Sequence, residues 1–328
     1  MAHKDGIIVG VDLGGTSIKA LAVDHKNKIL AAEKKKTLAS TGAQDLIREI
    51  AGLVKKAASN AGYKLKAVEA VSIGAPGPVD VRHGIVREAA NLGWKDVPLA
   101  SDLKALLDVP VVVDNDVNVG VVGEHALGAG NKAAELVGIF VGTGIGGGII
   151  SRGELFQGSN GWAGEVGHTV VLPDGPICSC GRRGHVEALA SRLAIERAVF
   201  AAAEAGRKTV ITEILRERQK DRITSSVIQE ALARNDAVMR EAMERAQYYL
   251  GILVANVANI LDPERVVIGG GIAARLGEGF VGPIRKTAAQ YFAHAQAEHH
   301  VRIVPGTLGD NAGALGAAVL ARQRLRLH

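Results

Sequence analysis

One pattern occurs twice in this chain and constrains the fold more than any other feature. Ile7 to Val11 is a β-branched apolar run that reads as a buried strand. Asp12-Leu13-Gly14-Gly15-Thr16 turns the chain, Ser17 to Val23 alternates into a second strand, and the polar turn Asp24 to Lys28 leads to a third. The same succession returns as Leu136 to Val141, the glycine loop Gly142-Thr143-Gly144-Ile145-Gly146-Gly147, a strand from Gly148 to Ser151, and the turn Arg152-Gly153-Glu154 before a third strand. The repeat spans about half the chain, far longer than a solenoid period of roughly 20–50 residues. It predicts two α/β units of related build. A length of 328 residues fits two cores better than one.

Between and after the hairpins the chain alternates helices and strands. Asp45 to Ala58 has apolar residues at helical spacing, and Ala67 to Ala75 reads as a strand ending at Pro76-Gly77-Pro78. Ser101 is a candidate N-cap for a helix to Leu107, and Val109 to Val113 is a strand that ends in Asp114-Asn115-Asp116. Glu187 to Gly206 and Ala237 to Leu261 read as helices, the second stopped by Asp262-Pro263. Val266 to Ile268 leads into Gly269-Gly270-Gly271, Arg302 to Val304 is a last strand, and Asn311 to Arg322 a last helix. No stretch has linker composition, which predicts that the units meet at a cleft.

A glycine loop between strands is either a tight turn or a place where backbone N–H groups approach an anion unobstructed. Three such loops, two of them in a repeated hairpin and carrying Thr16 and Thr143, favour nucleotide phosphates. Gly142 to Gly147 matches G-x-G-x-x-G, but the dinucleotide fingerprint must open a helix, and here a strand follows. No Walker A sequence is present.

Two further clusters carry chemistry. Asp114-Asn115-Asp116 ends a strand where phosphoryl transfer to an alcohol would need a carboxylate to accept the proton; a turn or helix cap is the equal alternative. His168, Cys178, Cys180 and His185 offer two thiolates and two imidazoles in a loop rich in glycine and proline, a donor set suited to tetrahedral zinc. A closed set of four protein ligands makes such a site structural.

Bulk properties exclude other classes. Hydrophobic residues at 47% and charged residues at 22% describe an ordered globular chain. The net charge of +5 is diffuse, with only the short runs Lys34 to Lys36 and Arg322 to His328, so a nucleic-acid groove is not expected. The two cysteines, one residue apart, suit a reducing compartment. The N-terminal residues show no signal-peptide core and no apolar run reaches membrane length, so a cytoplasmic location is expected.

Taken together, Asp12-Leu-Gly-Gly-Thr16, Gly74-Ala-Pro-Gly-Pro78, Asn115-Asp-Val-Asn118, Gly142-Thr-Gly-Ile-Gly-Gly147, Gly164-Glu-Val-Gly-His168 and Cys178-Ser-Cys-Gly-Arg-Arg-Gly-His-Val-Glu187 resemble the ROK family of sugar kinases and sugar-sensing repressors, nearly end to end. The resemblance implies an actin-like, ribonuclease-H-like α/β fold. Residues 1–120 with a C-terminal helix at about 309–328 would form the smaller domain, and 121–308 the larger one with the zinc loop and dimerisation helices. Asp116 would take the proton from the sugar hydroxyl. Asn91, Asn115, Glu165, His168 and Glu187 would hydrogen-bond the sugar. Asp12 would act near Mg²⁺; Gly14, Gly15, Thr16, Lys19, Gly142, Thr143, Gly144 and Gly146 would hold the ATP phosphates; and Gly269, Gly270 and Gly271 would pack on the adenosine. His168 would bind structural Zn²⁺ through one ring nitrogen and face the sugar with the other. The family's usual third cysteine is His185 here, itself a good zinc ligand.

The resemblance leads to a hexose and ATP as partners, glucose first because Glu165, His168 and Glu187 resemble the glucokinase set. Fructose, mannose, N-acetylglucosamine and N-acetylmannosamine, or polyphosphate as donor, remain open alternatives. A sugar-sensing repressor is the reading from another class; such members carry a helix-turn-helix ahead of the first hairpin, which here begins at Ile7. A homodimer or homotetramer is expected.

Overall fold

The computed structural model describes residues 6–37, 42–294 and 296–327. The first five residues, on which the reading of the N-terminus rests, and His328 of the basic tail lie outside them. The first hairpin folds as β1 (Ile7–Leu13), β2 (Ser17–Val23) and β3 (Ile29–Lys36). Helix α1 (Ala43–Asn60) follows, with Leu46, Ile47, Ile50, Leu53, Val54 and Ala57 on its buried face. Each large aliphatic side chain on such a face contributes about 1.5–3 kcal/mol on burial. Next come β4 (Val68–Ala75), then β5 (Val79–Asp80), β6 (Ile85–Ala89) and β7 (Trp94–Val97), which form a small antiparallel sheet that the sequence pattern does not reveal. Helix α2 (Leu99–Leu107) and β8 (Val111–Asn115) lead into α3 (Asp116–Leu127).

The second hairpin is β9 (Leu136–Val141), β10 (Ile145–Ser151) and β11 (Glu154–Phe156). After the loop that carries the Cys/His cluster come α4 (Glu187–Ala190), α5 (Arg192–Glu204), α6 (Ile211–Glu217), α7 (Ser225–Ala233) and α8 (Ala237–Leu261). The chain closes with β12 (Arg265–Gly269), α9 (Gly271–Leu276), α10 (Glu278–Ala289), α11 (Ala297–His300), β13 (Arg302–Pro305) and α12 (Ala312–Leu325).

The duplication is plain in the topology. The first sheet has the order β3-β2-β1-β4-β8 and the second β11-β10-β9-β12-β13. In each, the hairpin strands pair antiparallel and the later strands add parallel to the first strand. One apolar core lies under the first sheet with α1 and α2, another under the second with α5, α8 and α10. Helices α3 and α12 cross between them. They approach so closely that a methyl group on Gly316 would lie 1.6 Å from the Val119 carbonyl oxygen.

Several boundaries differ from expectation, each for a local reason. Ser101 does not cap α2: the helix starts at Leu99 after Pro98, and the Ser101 hydroxyl donates back to the Pro98 carbonyl at 3.0 Å. β8 starts at Val111, because Pro110 has no N–H for the ladder. Gly146 and Gly147 belong to β10, pairing with Phe140 and Ile139, so the second glycine turn narrows to Gly142–Gly144. The helix expected from Glu187 to Gly206 is two helices. Ser191 is extended and caps α5, its side chain accepting from the Ala194 N–H at 3.1 Å.

Candidate active site

The carboxyl ends of β1, β4 and β8 converge with the second glycine turn on an open cavity of about 730 Å³. It is lined by Gly15, Thr16, Asn91, Asn115 and Asp116 from one side and by Gly142, Thr143, Gly144, Gly146, Glu165, His168, Glu187 and Gly270 from the other. A smaller cavity of about 210 Å³ shares Asp116 and Gly270 and adds Asp12, Gly271, Asp310 and Gly313. Most residues singled out in the sequence therefore meet in one place. Of those expected at the sugar or the nucleotide, three do not line either cavity. Gly14 closes the first turn, its N–H donating to the Ser17 carbonyl at 3.0 Å. Gly269 packs on Phe140 inside β12. Lys19, expected at the phosphates, is held by Asn311 Oδ1 and by the Asp310 carbonyl at 3.2 Å.

Asp116 is the first residue of α3, which the Asn115 side chain caps by accepting from the Val117 and Asn118 N–H groups at 2.9 and 3.2 Å. The Asn115 amide also donates to the Gly77 carbonyl at 3.1 Å, so much of the capacity expected for a sugar is engaged by the backbone. Burial pushes the Asp116 carboxyl up to about 7, helped by the negative charges of Asp12 and Glu165 and opposed by the Val117 N–H. Burial likewise raises Asp12 to about 6 against the pull of Lys19, with Asp310 adding to the rise.

Neighbouring Asp114, fully buried, is a hub the sequence did not reveal. Its carboxylate accepts from the Asn118 amide at 3.0 Å, from the Gln157 amide at 2.8 Å and from Arg324 of α12. It ties the strand before Asp116 to the loop leading to Glu165 and to the last helix. These partners lie up to 210 residues away in sequence, and no local signal marks them.

Glu165, His168 and Glu187, the residues expected at the sugar, hang on the Cys/His loop. His168 Nε2 is 4.0 Å from Glu165 Oε2, while its Nδ1 is 3.7 Å from Cys178 Sγ. Glu187 Oε2 accepts from the Ile145 N–H at 3.0 Å, and its Oε1 from the Ser179 hydroxyl at 2.7 Å and the Cys178 thiol at 3.2 Å. Burial alone would raise the Glu187 carboxyl, but the Ser179 and Ile145 donors outweigh it and hold it below the usual range.

The ligand atoms of His168, Cys178, Cys180 and His185 all lie within 4.8 Å of one another, and Cys180 Sγ is 3.2 Å from His185 Nδ1. Tetrahedral zinc bonds of about 2.0–2.3 Å place ligands about 3.3–3.8 Å apart, so the two-sulfur, two-nitrogen set fits zinc after a small contraction. Burial pushes the Cys178 thiol up to about 11 and depresses His185, the latter with help from His168. A dication at their centre favours both ligand forms.

Two like-ordered sheets, each with a glycine hairpin facing a carboxylate-floored cleft, define an actin-like ATPase fold built for phosphoryl transfer. The sequence model of the ROK family matches residues 8–324, and the chain belongs to that family. It is 34% identical to a glucokinase of Halalkalibacterium halodurans over 98% of this chain and 96% of that one. A solved ROK family glucokinase from Streptomyces griseus, in complex with glucose and AMPPNP, matches with a TM-score of 0.85 at 35% identity, covering 97% of this chain and 100% of that one. A xylose repressor of Caldicellulosiruptor bescii is 33% identical over 97% of this chain and 79% of its own length. The fold and cleft are those of a sugar kinase. Among the described residues, no helix is long and apolar enough to cross a membrane.

Proposed function

We propose that this sugar kinase transfers the γ-phosphoryl group of ATP to the 6-hydroxyl of glucose, with Asp116 as general base. The observation that carries the reading is the position of Asp116 on the cleft floor. It is flanked by Asp12 and the glycine turns on one side and by Glu165, His168 and Glu187 on the other. Glu165, His168 and Glu187 would receive the ring hydroxyls, with Asn91, which lies against Gly15 on the same cavity, as a further partner. The 6-oxygen attacks the γ-phosphorus as its proton passes to the Asp116 carboxylate, and the bond from phosphorus to the ADP oxygen breaks. Backbone N–H groups of Thr143 and Gly144 would face the phosphates, those of Gly142 and Ile145 being engaged by the Gly144 carbonyl and Glu187. Asp12 would hold Mg²⁺, whose bound charge would offset the charge on the phosphates. The zinc set would stiffen the loop bearing His168 and leading to Glu187.

The division into domains 1–120 with 309–328 and 121–308 is part of the same reading, supported by the separate apolar cores under the two sheets. The test is ADP release measured across a panel of hexoses, with ATP or polyphosphate as donor. Glucose with ATP is expected to give the highest kcat/KM. No glucose-dependent ADP release would overturn the reading.

A further inference from the structure

Phosphoryl donors bring several negative charges into a cleft whose floor already holds three aspartates. Asp12, Asp116 and Asp310 line the smaller cavity, and among its described lining residues none is basic. Lys19 is engaged by Asp310 and Asn311. In the larger cavity, among its described lining residues, one permanently charged cation is present: Arg222.

Arg222 lies in the connection between α6 and α7, and the structure fixes where that connection sits. Its neighbour Ile223 is fully buried. The Ile223 N–H donates to Glu196 Oε2 at 2.7 Å, and the Ile223 carbonyl accepts from Arg192 Nη1 at 2.8 Å. The same Arg192 guanidinium donates through Nη2 to the Thr143 hydroxyl at 2.9 Å. The Arg222 backbone is therefore one residue from a bonded chain that ends on the second glycine turn. Arg192 is committed to that scaffold, whereas Arg222 is exposed and makes no hydrogen bond or ion pair among the described residues. On this turn Gly142 faces open space, since a methyl group there would meet nothing within 4 Å, whereas one on Gly144 would lie 2.3 Å from Glu187 Oε2.

We propose that Arg222 contacts the terminal phosphates of the donor lying on the second glycine turn, and so supplies a positive charge that, unlike those of Arg192 and Lys19, no hydrogen bond in the scaffold already engages. The inference rests on the kinase reading and adds a donor-recognition residue to it. A guanidinium suits the role because its planar fork can bond two phosphate oxygens at once.

Calorimetric titration with Mg-AMPPNP, beside steady-state kinetics, tests it. Arg222→Ala is expected to weaken Mg-AMPPNP binding and raise the KM for ATP about tenfold, the loss of one charge-assisted contact. The KM for glucose is expected to stay within about twofold, since the residue faces the donor. Arg222→Lys should recover part of the loss, and wild-type affinity should fall more steeply with salt than that of the alanine variant. Wild-type binding with an unchanged alanine variant would overturn the proposal while leaving the kinase reading intact. An equal rise in both KM values would also overturn it, showing a loop that merely shapes the cleft. A wild-type protein that binds no AMPPNP would remove the kinase reading and the proposal together.

Discussion

Asp116 carries two properties that pull against each other. Its surroundings raise it to about 7, which makes it a competent proton acceptor near neutrality but an uncomfortable anion in the folded chain. In the proposed role of general base it must be deprotonated, so kcat/KM should fall about tenfold per pH unit below that value. A profile from pH 5 to 9 checks this, and an acid limb centred near the ordinary carboxylate range would refute it. Asp116→Asn should lower kcat by about 10²–10⁴-fold while glucose binding, followed by calorimetry, stays within a few-fold. The stability consequence has the opposite sign. The folded form holds this proton more tightly than the unfolded chain, whose carboxyl titrates near 3.8. The stabilising effect is complete below the unfolded value and is lost as pH rises through about 7. Thermal scans without ligands should therefore show Asp116→Asn more stable than wild type at pH 8, and the difference should vanish near pH 4. A variant less stable than wild type at pH 8 would count against the buried-anion account.

The loop from Glu165 to Glu187 joins the Cys/His cluster and the groups proposed to face the sugar in one element. Cys178 is within reach of both His168 and Glu187, so a change at the metal centre reaches the acceptor side first. His185→Ala should lower zinc content by elemental analysis and raise the KM for glucose by about 10–100-fold, with the KM for ATP little changed. Retained zinc in that variant would exclude His185 as a ligand. The cluster was legible in the sequence because its members are close together and chemically distinctive. The break between α4 and α5 was not, since Leu189, Ala190, Ala194 and Ile195 all carry the apolar spacing of one continuous helix. What divides them is the Ser191 cap, beside Glu187, which turns its carboxylate to Ile145 and Ser179. Lys19 shows the same limit from the other side: the family resemblance implied phosphate, but its partners, Asp310 and Asn311, are nearly 300 residues away.

At the scale of the whole molecule, the two hairpins were readable because each is local, and their repetition alone predicted paired α/β units. The way the units are joined was not readable. It depends on α12 returning to lie against β1 and α3, a contact across most of the chain that hydrophobic spacing does not encode. The join is made by small residues. Gly316 faces the Val119 carbonyl and Gly123 N–H, and Gly313 lies beside the Asp12 carboxylate, so the same crossing that joins the units also sets Asp12 and Asp116 in the cleft floor. Gly316→Ala places a methyl group on backbone atoms, where no rotamer change relieves the clash. Overpacking of this kind costs about 1–3 kcal/mol or more, and the helices must separate to absorb it. The expected result is a fall in Tm of several degrees. A disproportionate loss of kcat should accompany it, because α3 begins at Asp116 and α12 begins beside Asp12. Gly52→Ala on the outer face of α1, where the added methyl meets nothing, serves as the control and should leave Tm unchanged or slightly raised. If both variants melt with the wild type, the crossing is not as close as the structure draws it.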